Sequence, residues 1–255
     1  FIFSYNFKRG LLCFFLLSGI AGVVNWLDQK KQIYAFLALI SFLIAGFLHG
    51  PLFLGGLIFV FIFSINMIKN FLNLFLKLQI NLLNLIYFFL AIYLFFVFFS
   101  SQINLPYVGT FESSVDIDRL SDNIKNRMRG DASYPEWLVI ETYTEFIYKS
   151  LFRILYLLFN PFPWSIKEPV HLIGALDGIL YMILFCLIIS NLKTLYINPL
   201  SRIILIFLFF YLLIYGIGVS NFGAAIRHRS KFIIEMIILA APFIPKIIFV
   251  RKIRK

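Results

Sequence analysis

Apolar residues run almost unbroken over 11–27, 33–48, 52–68, 82–99, 170–189, 202–219 and 232–249, and polar residues collect in the gaps between these runs. At ~1.5 Å of rise per residue, a helical run of about 16 to 20 residues is long enough to cross a ~30 Å hydrocarbon core. None of the runs shows the alternation of a lipid-facing barrel strand, and a helix satisfies its own backbone polar groups inside lipid. The pattern therefore predicts an all-α fold, a polytopic transmembrane helical bundle of about seven spans.

Polar spacing divides the rest of the chain. Residues 1–100 hold four N-terminal spans. Near 69–81 they also hold an amphipathic linker, in which Asn70, Asn73, Lys77, Asn81 and Asn84 recur every three or four positions as in a helix lying on a membrane surface. Residues 101–169 form one long extramembrane segment. Within it, the stretch Arg127-Met-Arg-Gly-Asp-Ala-Ser-Tyr-Pro135 reads as an ordered loop, with Gly130 free to take positive φ and Pro135 fixing an extended exit. From Trp137 to Phe159 a helical period returns. Glu141, Glu145, Lys149 and Arg153 make one polar stripe, opposite Leu138, Tyr143, Phe146, Ile147, Leu151, Leu155 and Leu158. That pattern predicts an interfacial helix with its apolar face on the membrane, ended by Pro161-Phe-Pro-Trp164. Residues 170–255 hold three further spans and a basic tail.

Composition sharpens the class. With 61% hydrophobic and only 14% charged residues, a water-soluble domain of this length is excluded. Cys13 and Cys186 fall inside predicted spans without metal-ligand spacing and read as small buried side chains. The chain begins at Phe1 without a charged start or cleavage signature, so the sequence is expected to be the C-terminal portion of a longer one.

Charge sets the expected orientation. Asp28-Gln-Lys-Lys-Gln32, Lys69, Lys77, Lys193, Arg202 and the tail Arg251-Lys-Ile-Arg-Lys255 fall on one side by the span count, which predicts a cytoplasmic C-terminus. This topology accounts for the net charge of +11, so a nucleic-acid partner is not expected. The opposite side carries most of the acids together with Arg9, Arg119, Arg127, Arg129, Arg153, Arg227 and Arg229. Guanidinium stays charged and grips phosphate or carboxylate oxygens with paired hydrogen bonds, which makes an anionic head group the expected ligand there. Arg119 and Arg153 are expected to pair with carboxylates of their own segment or with lipid phosphates. The pair Arg227 and Arg229 is expected to bind substrate. Of the ionisable groups near the spans, His49, His171, His228 and Glu235 are expected to converge on that same face, with Asp177 two turns deeper as an unpaired carboxylate.

Three stretches together carry a resemblance: Asn221-Phe-Gly-Ala-Ala-Ile-Arg-His-Arg-Ser-Lys231, Arg129-Gly-Asp-Ala-Ser-Tyr-Pro135 and Asn160-Pro-Phe-Pro-Trp164. They resemble membrane proteins of bacterial surface-polysaccharide clusters, of the O-antigen or capsule repeat-unit polymerase type, across most of 110–250. Members of that class are usually longer than this chain. The resemblance implies a glycosyltransferase without metal or cofactor, acting at the periplasmic face of the inner membrane on undecaprenyl-diphosphate-linked glycan, with membrane lipids and other glycan-assembly proteins as partners. In such an enzyme an acceptor hydroxyl attacks the anomeric carbon of the donor, and the diphosphate leaves with its charge. Arg227, Arg229 and Lys231 would hold that diphosphate, with Arg127 or Arg129 closing over it and Arg9 adjoining. His228 or Glu235 would serve as general base with Asp177 as a further catalytic candidate, while Tyr134 and Trp164 would stack on sugar rings. Two rivals from other classes are a transporter or flippase-like protein for an anionic lipid or sugar, and a non-catalytic scaffold of a glycan-assembly complex.

Overall fold

The computed structural model describes residues 2–75, 93, 117–128, 130, 132–166 and 169–244, and among them the long elements are all helices, with no strand beyond a single bridge. The order is α1 (Ile2–Gln29), α2 (Gln32–Leu48), α3 (Phe53–Phe75), α4 (Ile117–Arg127), α5 (Tyr143–Phe159), α6 (Pro169–Ser190), α7 (Leu192–Ile197), α8 (Pro199–Gly218), α9 (Phe222–Arg229) and α10 (Ile233–Ala240). Among the described residues three stretches are long and apolar enough to cross a membrane, namely Gly10–Gln29, His171–Ser190 and Pro199–Gly218. Shorter apolar helices cover Gln32–Leu48, Gly50–Asn66 and Ile233–Phe243. Apart from residue 93, the expected span at 82–99 lies outside the described residues, as does the basic tail.

Many large apolar side chains stay exposed, among them Phe47, Phe61, Ile173, Leu176 and Ile183. Exposure of this kind on long apolar helices is what lipid contact requires and water penalises. The structure is that of a helical membrane protein.

The core runs between the helices. Phe42 of α2 stacks on Phe207 of α8 with ring centroids 5.2 Å apart, and Trp26 of α1 meets Phe59 and Phe63 of α3. Helix ends follow ordinary capping chemistry. Asn198 accepts from the backbone N–H groups of Leu200 and Ser201 before α8, Thr142 from Glu145 before α5, and Asn221 from Ala224 before α9.

One expectation is covered only in part and one needs correction. The linker near 69–81 was expected to be a surface-lying helix leading into the fourth span; of it, Asn70 and Asn73 continue α3 without a break to Phe75, and Lys77, Asn81 and Asn84 lie outside the described residues. Nothing between 53 and 75 interrupts the helix, since the stretch has no proline and its two glycines sit in the first turn. The helix expected from Trp137 begins only at Tyr143. Before it, Glu136–Leu138 forms a 3-10 turn and the chain runs extended to the Thr142 cap.

The polar stripe of α5 also faces the opposite way from the surface-helix expectation. Lys149 and Arg153 are buried against the protein, as are Leu157 and Leu158, while Tyr143, Ile147, Tyr148, Leu151 and Phe152 are exposed. Leu138 and Leu158, expected on the membrane face, belong to the core. The reason is that the ends of other elements supply carbonyl oxygens for the stripe, so the cations find partners inside the protein and the apolar side is left for the surroundings. The C-terminal end of α5 presses on α6 so closely that a Cβ at Gly178 would stand 2.7 Å from the Phe159 carbonyl oxygen.

Candidate functional site

The two stretches singled out in the sequence, around 130 and around 225, are joined directly. Ser133 and Asn221 form an antiparallel bridge, the Phe222 N–H donates to Ala132 O at 3.0 Å, and the Tyr134 N–H donates to Ser220 O at 2.9 Å. Gly130 sits at φ +69°, the positive value expected of it, and Pro135 leaves in extended conformation with ψ 144°.

This junction is held by arginines that reach inward. Arg153 is fully buried. Its Nε donates to Gly216 O at 3.1 Å, its Nη1 to Leu138 O at 2.9 Å, and its Nη2 to Ile217 O, Val219 O and Ser220 Oγ at 3.1, 2.6 and 3.0 Å. Arg127 adds a bond from Nη1 to Gly218 O at 2.6 Å. The last carbonyls of α8, which have no partner within their own helix, are thus capped by two guanidinium groups at the negative end of the helix dipole. The expected carboxylate or lipid-phosphate partner of Arg153 is not what the structure shows. Its partners are carbonyls and one hydroxyl, and burial lowers its pKa to about 10, which leaves it charged at neutral pH.

Arg229 is likewise fully buried and uses all five of its N–H donors. Nε and Nη2 lie 2.9 and 2.8 Å from Asp177 Oδ2, Nη1 donates to Leu158 O and Asn160 O at 2.8 and 2.7 Å, and Nη2 donates to Gly174 O at 2.8 Å. The guanidinium also lies 5.1 Å from the Tyr181 ring centroid. Asp177, expected to be unpaired, is therefore the partner of Arg229. No N–H of Arg229 is left to grip a diphosphate without breaking a bond that ties α5, α6 and α9 together.

A different set of residues gathers at the end of the bundle where α2 and α8 finish. His49, just after α2, has its ring centroid 5.6 Å from His228 of α9, and its Nδ1 is 3.3 Å from the Tyr215 hydroxyl of α8. Lys231 Nζ, in the turn between α9 and α10, lies 2.9 Å from His228 Nδ1, 3.2 Å from the Tyr215 hydroxyl and 4.5 Å from the Tyr215 ring centroid. Arg227, next to His228 along α9, is exposed, and its one side-chain bond among the described residues is from Nε to Gly223 O at 3.2 Å. Its two terminal NH2 groups remain available to a ligand. His171 sits on the first residue of α9, its ring 4.6 Å from that of Phe222. His49, His171 and His228 thus share one end of the bundle, as the span count predicts, while Glu235 is buried below them.

The remaining candidates are placed less favourably for binding. Tyr134 is buried beneath Arg153 and against Tyr156, so it has no face to offer a sugar, and burial pushes its phenol well up. The reason is that its backbone bond to Ser220 draws the ring under α8. Trp164 is 77% exposed and stacks on Phe162 at 4.8 Å, an arrangement that leaves its other face open. Arg129 and the side chain of Arg9 lie outside the described residues. Sequence reasoning missed Tyr215, which nothing marks within an apolar run; its role at the site emerges only when α2 and α9 are brought against it. Among the described residues no group of three or more His, Cys, Asp and Glu side chains is arranged to hold a metal.

No family model, no curated protein and no solved structure matches this chain.

Proposed function

We propose that the chain is a multi-pass protein of a bacterial inner membrane, with about seven spans and a cytoplasmic C-terminus, that joins undecaprenyl-diphosphate-linked oligosaccharide repeat units at the periplasmic face. The observation that carries this reading is the cluster of His228, Lys231, His49 and Tyr215 at one end of the bundle, with exposed Arg227 next to His228 along α9. Lys30 and Lys31 lie at the other end of α2, so the lysine-rich loop and this site stand at opposite ends of that helix, in keeping with cytoplasmic lysines and a periplasmic site.

The chemistry fits a leaving diphosphate. Arg227 offers a planar pair of donors and Lys231 a point charge, so charge that develops on the departing phosphate meets cations already in position. Imidazole titrates near neutrality, which suits His228 or His49 to accept the proton of the attacking glycan hydroxyl. Arg229, Asp177 and Arg153 hold the frame of the site. Membrane lipids and other glycan-assembly proteins are its expected partners, and the reaction needs no cofactor.

A second reading has one observation in its favour. Within the final apolar stretch α10 gives way after Ala240 to a 3-10 turn over Ala241–Phe243, and interrupted helices also build substrate sites in transporters of anionic lipids or sugars. Purified full-length protein in liposomes with lipid-linked repeat units separates the readings. Longer glycans with release of the lipid diphosphate support the polymerase. Movement of the intact lipid-linked substrate across the bilayer without elongation supports the transporter, and neither activity leaves a scaffold.

A further inference from the structure

The end of the bundle opposite His49 carries a second set of cations. Helices α2 and α8 run in the same direction, since Phe42 stacks on Phe207 and, farther along both, His49 meets Tyr215. The start of α8 therefore lies at the same end as Lys30 and Lys31, which precede α2. Helix α6 runs the other way, because His171 near its start packs on Phe222 just past the end of α8. Helix α7 thus joins two stretches long and apolar enough to cross a membrane, and a connection between two crossings stands at a membrane face. Its Leu195 is buried in the core, while Leu192, Tyr196 and Ile197 are exposed beside exposed Lys193.

Lys30, Lys31, Lys193 and Arg202 share this end, and Asp28 is the sole acid within 24–40, 60–75 and 186–210. The three lysines are exposed, and among the described residues none of the four cations is paired with a carboxylate. Arg202 instead holds its guanidinium 5.5 Å from the Tyr196 ring centroid. A ring over its face leaves the N–H donors at the edge of the guanidinium for phosphate oxygens. We propose that α7, with Lys193 and Arg202, forms a docking surface for the headgroup of an anionic phospholipid. Leu192, Tyr196 and Ile197 sit at the boundary between headgroups and acyl chains, where tyrosine and apolar side chains are at home. Lys30 and Lys31 extend the same positive field. A zwitterionic lipid brings its own cation, which this field repels, whereas a headgroup with net negative charge supplies the missing counter-charge. A soluble phosphate has no chain to cover the exposed apolar side of α7, so the occupant is a lipid. This surface stands apart from the site at the His49 end and does not depend on what that site does.

The test places the full chain in nanodiscs made of equal parts phosphatidylglycerol and phosphatidylcholine, and native mass spectrometry counts the lipids of each class that stay bound on release. No glycan is present, so the result stands whether or not the protein elongates glycans. Wild type is expected to retain phosphatidylglycerol in preference to phosphatidylcholine, and added salt should weaken that preference. Lys193→Gln combined with Arg202→Gln should lower the ratio by roughly fivefold for each charge removed. Arg202→Lys, which keeps the charge, should retain most of it. Lys193→Gln alone changes only an exposed side chain and carries the test should the double variant fold poorly. Lys125→Gln removes the same charge near the opposite end, where its neighbour Arg127 bonds Gly218 O, and should leave the ratio unchanged. The proposal is overturned if wild type retains both lipids equally, if folded protein lacking the charge at 193 or at both positions keeps the wild-type ratio, or if Lys125→Gln lowers it as far.

Discussion

Arg229 and Asp177 are bound at two points, with Nε and Nη2 of the arginine at 2.9 and 2.8 Å from the same carboxylate oxygen, across the interface of α9 and α6. The arginine is fully buried while the aspartate side chain is 37% exposed, so the pair is a buried cation anchored by a half-open anion. Removal of the cation strands one carboxylate and the carbonyls of Leu158, Asn160 and Gly174. Arg229→Ala should therefore cost roughly 3–5 kcal/mol of stability, and Arg229→Lys should recover only part, because one ammonium cannot reproduce a five-donor fork. Thermal unfolding of the detergent-purified variants, followed by size-exclusion, checks the order wild type, then Lys, then Ala.

Arg153 makes a separate prediction because its partners are carbonyls. Arg153→Met should remove the cap on Gly216, Ile217 and Val219 and lower stability by roughly 2–4 kcal/mol. The damage should centre on the α8 end, read as faster hydrogen exchange over 216–222 with little change in α1 to α3.

The approach of α5 to α6 leaves no room at Gly178. A methyl group there would meet the Phe159 backbone oxygen at 2.7 Å, and backbone has nowhere to go. Gly178→Ala should cost about 1–3 kcal/mol and loosen the end of α5, seen as protease cleavage between 159 and 169 at protease levels that spare wild type.

How much of this was legible in the sequence differs from element to element. Apolar run length located α1, α2, α3, α6 and α8, because crossing distance and helical rise fix that length whatever the neighbours are. The Gly130 turn was legible because few residues other than glycine tolerate its φ. What periodicity could not give was direction. The spacing of Glu141, Glu145, Lys149 and Arg153 defines a stripe, yet whether it turns outward depends on the carbonyls at the end of α8, more than sixty residues away. The same holds for Arg227 and Arg229, two residues apart on a short helix and hence on different faces. Helical geometry made them different, and only the position of Asp177 decided which one went inside.

Acid should weaken the α5 start in a defined way. Lys149 bonded to Glu145, with the backbone N–H of Glu141, holds that carboxyl below the usual carboxylate range. A carboxyl with a lowered folded-state pKa contributes stability above its unfolded value and loses it as pH falls through the folded one. Glu145→Gln should unfold at lower temperature than wild type at neutral pH, and the gap should close as pH drops below the usual carboxylate range, measured by thermal scans across that window.

The claim that matters most is that the cations at the His49 end, exposed Arg227 and buried Lys231, act on a lipid-linked glycan. Its most direct measurement is surface-glycan chain length on a gel from the native host, carrying full-length protein with Arg227→Ala or His228→Ala at wild-type membrane levels. The account predicts that the polymer ladder collapses while single repeat units remain, without the loss of stability expected of Arg229→Ala. An unchanged ladder in both variants would contradict it.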